Sequence, residues 1–271
     1  MEVHFWGVRG SIPCGSAAYS RYGGDTSCVS VYTDDIFVVF DAGSGFRAAG
    51  NFCMENNIKH THLFLSHMHI DHILGLPFYG PIWDSSKQMT IYGIEVAAYG
   101  GVKAILSQAF AAPLFPVQVS GFQADVNYVD YPAGKVIQLS EYVQIRTTPL
   151  DHPNGAVAFQ ISNGASKVCY VTDTGHLTGE YRKGVLELIE AADMVIYDAS
   201  LTCEELKGKE HWGHSTWKEG IVLCQEAEAK ALCLFHHSPE HDDQIMDQIV
   251  AEAQESWNKV YVAKQGMVLK L

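Results

Sequence analysis

The chain has 271 residues, a formal charge of −13 and a hydrophobic share of 47%, enough apolar surface for a sizeable core in one large α/β domain or two small ones. Its 18 basic residues form no run, which disfavours a broad nucleic-acid-binding surface, because phosphate backbones demand clustered Lys and Arg. No stretch approaches the ~20 apolar residues of a membrane span, and the N-terminus has no leader-like region.

The opening Met1-Glu2-Val3-His4-Phe5-Trp6 is a strand-like alternation. Val29–Thr33 and Ile36–Phe40 flank Asp34-Asp35, a hairpin signal. Asp41-Ala-Gly-Ser-Gly follows, then a helical stretch to about Asn57, then a strand over 62–66. The segment 73–130 is punctuated by Gly and Pro. It holds a short strand, Met89 to Tyr92, and a helix, Val96 to Ala109. Strands recur at 136–139, 142–149, 156–161 and 167–172. Helices at 180–192, 216–228 and 242–257 then alternate with strands at 194–198, 231–235 and 259–263. With no internal repeat, low-complexity tract or linker, residues 1–271 read as a single domain. The expected architecture is α/β: two sheets face to face with helices outside, an αββα sandwich. The seven cysteines are scattered and never in CxxC spacing, as in a reduced, cytoplasmic protein.

The most specific chemistry lies at 67–72, His-Met-His-Ile-Asp-His, directly after the apolar run that ends at Leu65-Ser66. Three imidazoles and a carboxylate crowded into one loop are costly unless a cation holds them. His67 and His69, two apart in extended chain, can converge on one ion, and Asp71 and His72 point toward a second. His152, Asp173, His236 and His237 also follow apolar strands, where rigid scaffold meets open solvent.

Ser66-His-Met-His-Ile-Asp-His, Thr172-Asp-Thr-Gly and the strand-end His236 resemble the metallo-β-lactamase superfamily. The likeness is to its phosphodiesterase branch, which includes ribonuclease Z, the cyclic phosphodiesterase of phosphonate breakdown and class II cyclic-nucleotide phosphodiesterases. Gly7-Val-Arg-Gly-Ser-Ile-Pro, Arg21-Tyr-Gly-Gly-Asp-Thr-Ser-Cys and Leu74-Gly-Leu-Pro-Phe-Tyr extend the likeness across most of the chain, from Gly7 to about Asp243. The resemblance implies the αββα metallo-β-lactamase fold. It also implies two divalent ions, Zn2+ or Mn2+, with His67, His69 and His152 on one, Asp71, His72 and His236 on the other, and Asp173 bridging. His236 is preferred to its neighbour His237 because the family places the ligand directly after the strand. Five neutral imidazoles and two carboxylates around two such ions leave a pocket of net positive charge.

His211-Trp-Gly-His214-Ser-Thr resembles the ribonuclease Z motif whose His is the proton donor. Thr216…Glu219 reads as a capping box, so His214 lies just before a helix N-terminus, which disfavours its imidazolium. Asp198 resembles the acidic residue that orients that His, although ribonuclease Z usually has Glu there; a plain turn Asp is the competing reading. Asp41 resembles the family's buried carboxylate behind a ligand His. Arg9 and Arg21 either reach substrate phosphate or pair structurally. The aromatics Phe78, Tyr79, Trp83, Phe110, Phe115 and Phe122 either wall the cleft, form a dimer surface or fill the core.

The resemblance implies a phosphodiesterase in which a metal-bridging hydroxide attacks phosphorus and His214 protonates the leaving alkoxide, with Asp198 and Asp71 in the catalytic centre. The expected substrate is a small anionic phosphodiester, cyclic-nucleotide-like. No long nucleic acid is expected, given the charge and the lack of a basic arm; no membrane partner is expected, and a homodimer is possible. The rivals are a hydrolase of another bond (thioester, lactone or β-lactam) and a non-catalytic metal-dependent sensor.

Overall fold

Thr33 faces Ile36 across a two-residue turn in which Asp34 and Asp35 both take positive φ, 48° and 61°. Short polar side chains tolerate that region, and it closes a right-twisted hairpin in two residues. The hairpin joins β2 (Cys28–Thr33) to β3 (Ile36–Phe40) in a computed structural model that describes residues 1–94, 99–176 and 178–271.

Two seven-stranded mixed sheets carry the fold. The first runs β14 (Val268–Lys270), β1 (Glu2–Gly7), β2, β3, β4 (His60–Phe64), β5 (Gln88–Ile94), β6 (Asp125–Tyr131). The second runs β13 (Val260–Val262), β12 (Leu232–Phe235), β11 (Met194–Asp198), β10 (Lys167–Val171), β9 (Ala156–Ser162), β8 (Gln144–Leu150), β7 (Val136–Gln138). The facing sides meet in one apolar layer: Val3, Phe5, Phe40 and Phe64 from the first sheet, Phe159, Tyr170, Ile196 and Phe235 from the second. Phe40 stacks on both Phe159 and Tyr170, with ring centroids 5.2 and 5.4 Å away.

Helices cover the outer faces. α1 (Phe46–Glu55) and α2 (Val102–Ala109) pack on the first sheet. α3 (Gly179–Ile189), α5 (Trp217–Glu226) and α6 (Asp243–Ser256) pack on the second, and the short α4 (Cys203–Leu206) lies before α5. Covering both faces explains why β11 and β12 are apolar without alternation: a strand sandwiched between two layers has no solvent side. The expected αββα sandwich is the observed architecture. No helix among the described residues is long and apolar enough to cross a membrane.

Some elements depart from expectation. The strand expected at 62–66 ends at Phe64, because the Ser66 N–H is taken by the side chain of Asp41 instead of a neighbouring strand. The helix expected from Val96 begins at Val102, after Gly100 and Gly101 in positive φ; residues 96–98 lie outside the described residues. β6 and β14 had no counterpart in the sequence reading. β6 pairs in parallel with β5 along its whole length, and β14 is three residues stitched to β1.

β3 runs parallel to β4, and β10, β11 and β12 run parallel to one another. Parallel strands deliver their C-terminal ends to one edge of a sheet. Asp41, His67, Asp173, the last β11 residue Asp198, and His236 all sit at such ends.

Candidate metal centre and active site

The loop after β4 carries His67 and His69 and then a 3₁₀ turn, Ile70–His72, that buries Asp71 and His72. Across from it stand His152, two residues beyond β8, and Asp173, two beyond β10 and held at φ 55°. His236 follows β12 directly, at φ 58°. Ligand-type atoms of His67, His69 and His152 lie within 4.8 Å of one another. The same holds for His67, His72 and Asp173, for Asp71, His72 and His236, and for Asp173, His214 and His236. Asp173 lies at the centre. One oxygen is 3.2 Å from His72 Nε2 and 3.3 Å from His236 Nε2, and the other is 3.9 Å from His67 Nε2 and 3.8 Å from His152 Nε2.

The hydrogen bonds behind these rings fix which nitrogen faces the centre. His72 Nδ1 donates to Asp41 at 2.8 Å, and His152 Nδ1 donates to the Gly213 carbonyl at 2.8 Å. Ser66 Oγ gives its proton to Asp41 and so accepts from His67 Nδ1 at 3.0 Å. Ser200 Oγ gives its proton to the His236 carbonyl and so accepts from His236 Nδ1 at 2.9 Å. Four imidazoles thus spend Nδ1 on the scaffold and turn Nε2 lone pairs inward, the arrangement that orients metal-ligating histidines. Nε2 of His67, His72 and His236 is buried and has no hydrogen-bond partner among the described residues. A buried unsatisfied nitrogen costs ~1–3 kcal/mol, and lone pairs opposed to carboxylate oxygens repel. His152 Nε2 accepts from His69 Nδ1 at 3.1 Å, and the mixed imidazole and carboxylate donors that converge here fit divalent cations of the zinc or manganese type.

Charge reinforces the point. Burial, helped by the neighbouring imidazoles, lowers the pKa of His67, His69 and His152 against the opposing pull of Asp173. Burial would also lower His72, but Asp173, Asp41 and Asp71 around it push its pKa well above the ordinary value. Burial would raise Asp71 and Asp173, yet the imidazoles facing them hold both well below the usual carboxylate range. The carboxylates stay ionised and the site demands positive charge.

His214 stands beside this cluster, its Nδ1 2.9 Å from Asp198 and 4.0 Å from Asp173. The short Asp side chain therefore does reach His214 directly. Asp198 is fully buried and also accepts from the Thr174 and Ser200 N–H groups, which aim it. Burial lowers the His214 pKa, but the Asp198 carboxylate outweighs it and the result is a rise to about 9. The sequence argument from the following helix had the opposite sign; a carboxylate in contact outweighs a helix terminus. The capping box is only half formed: Thr216 accepts from the Glu219 N–H, while the Glu219 carboxylate turns to Arg182 at 2.8 Å.

His237 turns away, its Nε2 on the Ala263 carbonyl at 2.9 Å. Arg9 is fully buried and donates to the Gly23, Ser238 and His241 carbonyls, so it faces no cleft; Arg21 pairs with Asp243 and Asp247. Tyr79 and Phe110 are core, Trp83, Phe115 and Phe122 lie partly buried against it, and Phe78 is exposed. The sequence reading gave no role to Ser66, Ser200, Tyr170 or the Gly213 carbonyl. Only the serine inside the Ser66-His67 motif carried a local signal.

With that geometry in view, the comparisons are specific. A family model described as "Beta-lactamase superfamily domain" matches residues 37–237, and the chain belongs to that family. The ribonuclease Z of Haloarcula marismortui is 24% identical, covering 98% of this chain and 96% of that protein. The metallo-beta-lactamase fold protein YhfI of Bacillus subtilis superposes with a TM-score of 0.75 at 19% identity, covering 99% and 98% of the two chains. Human tRNase Z, short form, superposes with a TM-score of 0.71 at 20% identity, covering 100% and 99%. The metallo-β-lactamase fold and the ribonuclease Z-like branch expected from the motifs are both found.

One expectation is overturned. The absence of a long nucleic-acid partner, inferred from net charge, conflicts with relatives along nearly the whole chain that are named ribonuclease Z, and with the tRNase Z fold match. Net charge is a poor guide here for a physical reason. Exposed charges are largely screened beyond ~10 Å at 0.1 M salt, so an acidic surface does not set the field inside a cation-demanding cleft.

Proposed function

We propose that this chain is a metal-dependent hydrolase of phosphodiesters that holds two divalent ions, zinc or manganese. The observation that carries this reading is the set of four imidazoles whose Nδ1 atoms are committed to the scaffold and whose Nε2 atoms converge around Asp173 beside Asp71. The names of its ribonuclease Z relatives supply the bond class. His67, His69 and His152 would hold one ion, and Asp71, His72 and His236 the other, with Asp173 shared. Bound there, divalent ions supply Lewis acidity and lower the pKa of water toward neutrality.

The chain's own residues supply the rest. With two divalent ions held, the pocket would carry net positive charge and draw a phosphodiester anion despite the acidic surface. Asp71 accepts from the Ser11 N–H at 2.7 Å, which helps to orient its carboxylate. His214 gives the Nε2 proton to the leaving oxygen while Asp198 keeps Nδ1–H in place and stabilises the charge, a contribution of ~10²–10⁴-fold. The seven cysteines are free thiols, in keeping with a reducing, cytoplasmic setting.

The test is a panel assayed after zinc or manganese loading: cyclic nucleotides, bis(p-nitrophenyl) phosphate, single-stranded RNA, a tRNA precursor, a thioester, a lactone and a β-lactam. We expect turnover among the diesters and its loss in Asp173→Asn. Cleavage confined to the thioester, lactone or β-lactam would reject the bond class. Fewer than two bound equivalents in the reconstituted protein would reject the paired ions.

A further inference from the structure

Trp212 is 50% exposed, yet it walls the same cavity of about 340 Å³ as His152, Asp173, His214 and His236. It stands at the end of a 3₁₀ turn, Glu210–Trp212, and is followed by Gly213 in the left-handed region at φ 76°. That reversal places an indole and the His214 imidazole on the same cavity two residues apart. Ile70, 59% exposed, and Ser11 complete the mouth. A half-exposed indole at a polar cleft offers a flat apolar face for stacking and a polar N–H edge.

The Lys209 ammonium lies 4.9 Å from the centroid of the Trp212 ring, and Lys209 makes no salt bridge among the described residues. The one acid in the turn, Glu210, accepts from the Gly208 N–H at 3.1 Å. An indole on the cavity wall, a lysine ammonium over one of its faces and, in the same cavity as the indole, a cluster that would hold divalent cations are together complementary to a nucleotide chain: base, phosphate, scissile phosphate.

We infer that Trp212 and Lys209 form a nucleotide subsite on the leaving-group side of the cluster, where the indole stacks the base next to the scissile phosphate and the ammonium meets the adjoining phosphate. The inference rests on the phosphodiesterase reading and narrows its substrate to single-stranded nucleotide chains, because stacking needs an unpaired base. Trp212 is a binding residue, and His214 next to it remains the proton donor.

Two measurements separate this subsite from the hydrolase reading. Fluorescence of the metal-loaded protein is titrated with thymidine monophosphate and with methyl phosphate, in the native chain and in Trp212→Phe. The nucleotide should quench the native emission, methyl phosphate should not, and the quench should vanish in the variant. Equal quenching in both proteins overturns the subsite whether or not any diester is cleaved. Thymidylyl-thymidine is then compared with the methyl ester of thymidine 5′-monophosphate, whose leaving group has no base. Trp212→Ala should lower the ratio of the two kcat/KM values by about tenfold, mostly through KM, and Trp212→Phe should recover most of it. An unchanged ratio overturns the proposal. If neither diester turns over, the hydrolase reading fails and the quench still decides the subsite. For Lys209, Lys209→Ala should reduce the salt slope of oligothymidylate binding by ~0.7; an unchanged slope removes it from the subsite.

Discussion

Asp41 Oδ2 lies 2.8 Å from His72 Nδ1, with both side chains fully buried. The same carboxylate accepts from the Ser66 N–H and hydroxyl and, from the opposite sheet, the Tyr170 hydroxyl at 2.9 Å. One buried acid therefore orients two rings of the candidate centre, His72 directly and His67 through Ser66, and ties both sheets to it. Asp41→Asn turns one acceptor into a donor that faces donors. We expect metal affinity to fall ~10–100-fold, the usual cost of losing such a partner, measured by equilibrium dialysis with elemental analysis. Native-like affinity in the variant would show that His72 is oriented by something else.

Gly213 carries a second constraint. A Cβ on it would stand 2.4 Å from His152 Nδ1, and its φ of 76° is strained for any L side chain. Gly213→Ala should displace His152 and shift His214 with it. The expected result is a drop in diester turnover larger than the ~1 kcal/mol loss of stability that backbone strain alone explains, read by comparing kcat/KM with the urea midpoint. Full turnover in a destabilised variant would mean that His152 tolerates the push.

His214 should matter in proportion to how much the leaving group needs a proton. His214→Ala should slow a diester with an alkyl leaving group by ~10²–10⁴-fold and bis(p-nitrophenyl) phosphate far less, since p-nitrophenolate leaves unaided. Asp198→Asn should follow the same order with smaller losses. Equal losses on both substrates would argue that His214 binds and does not donate.

Away from the centre, burial lowers the His62 pKa to about 4, and its neighbour His60, centroid 4.1 Å away, adds to the effect. A folded pKa below the unfolded value of about 6.5 means that the unfolded chain binds the proton first. Stability is then undiminished above about pH 6.5 and declines as pH falls toward 4. Urea midpoints at pH 7 and pH 5 should draw closer together in His62→Gln than in the native chain. An identical decline in both would place the acid sensitivity elsewhere.

Phe40 is the inter-sheet contact most exposed to test. Phe40→Ala removes a ring stacked on Phe159 and Tyr170 and should cost ~3–5 kcal/mol, as for other buried aromatics, read from chemical denaturation. A loss under ~1 kcal/mol would mean that the two sheets close over the gap.

The sequence by itself determined what is local. The crowded loop 67–72, the Asp34-Asp35 turn, the apolar strands buried on both faces and the helix–strand alternation after residue 180 each declare themselves within a few residues, because strand and helix periodicity and turn chemistry act at short range. Strand-end positions then brought Asp173, His152 and His236 into consideration, and the family likeness grouped them. The tertiary structure decided everything that depends on contacts between distant segments. Ser200 behind His236, the Gly213 carbonyl behind His152 and Tyr170 on Asp41 are joined across 36, 61 and 129 residues. No periodicity encodes such pairs. The sign of the His214 shift belongs to the same class: a neighbouring helix end was legible in the sequence, but the Asp198 carboxylate that outweighs it arrives from another strand. Coulomb energy depends on separation in space, and only the closed sandwich sets that separation.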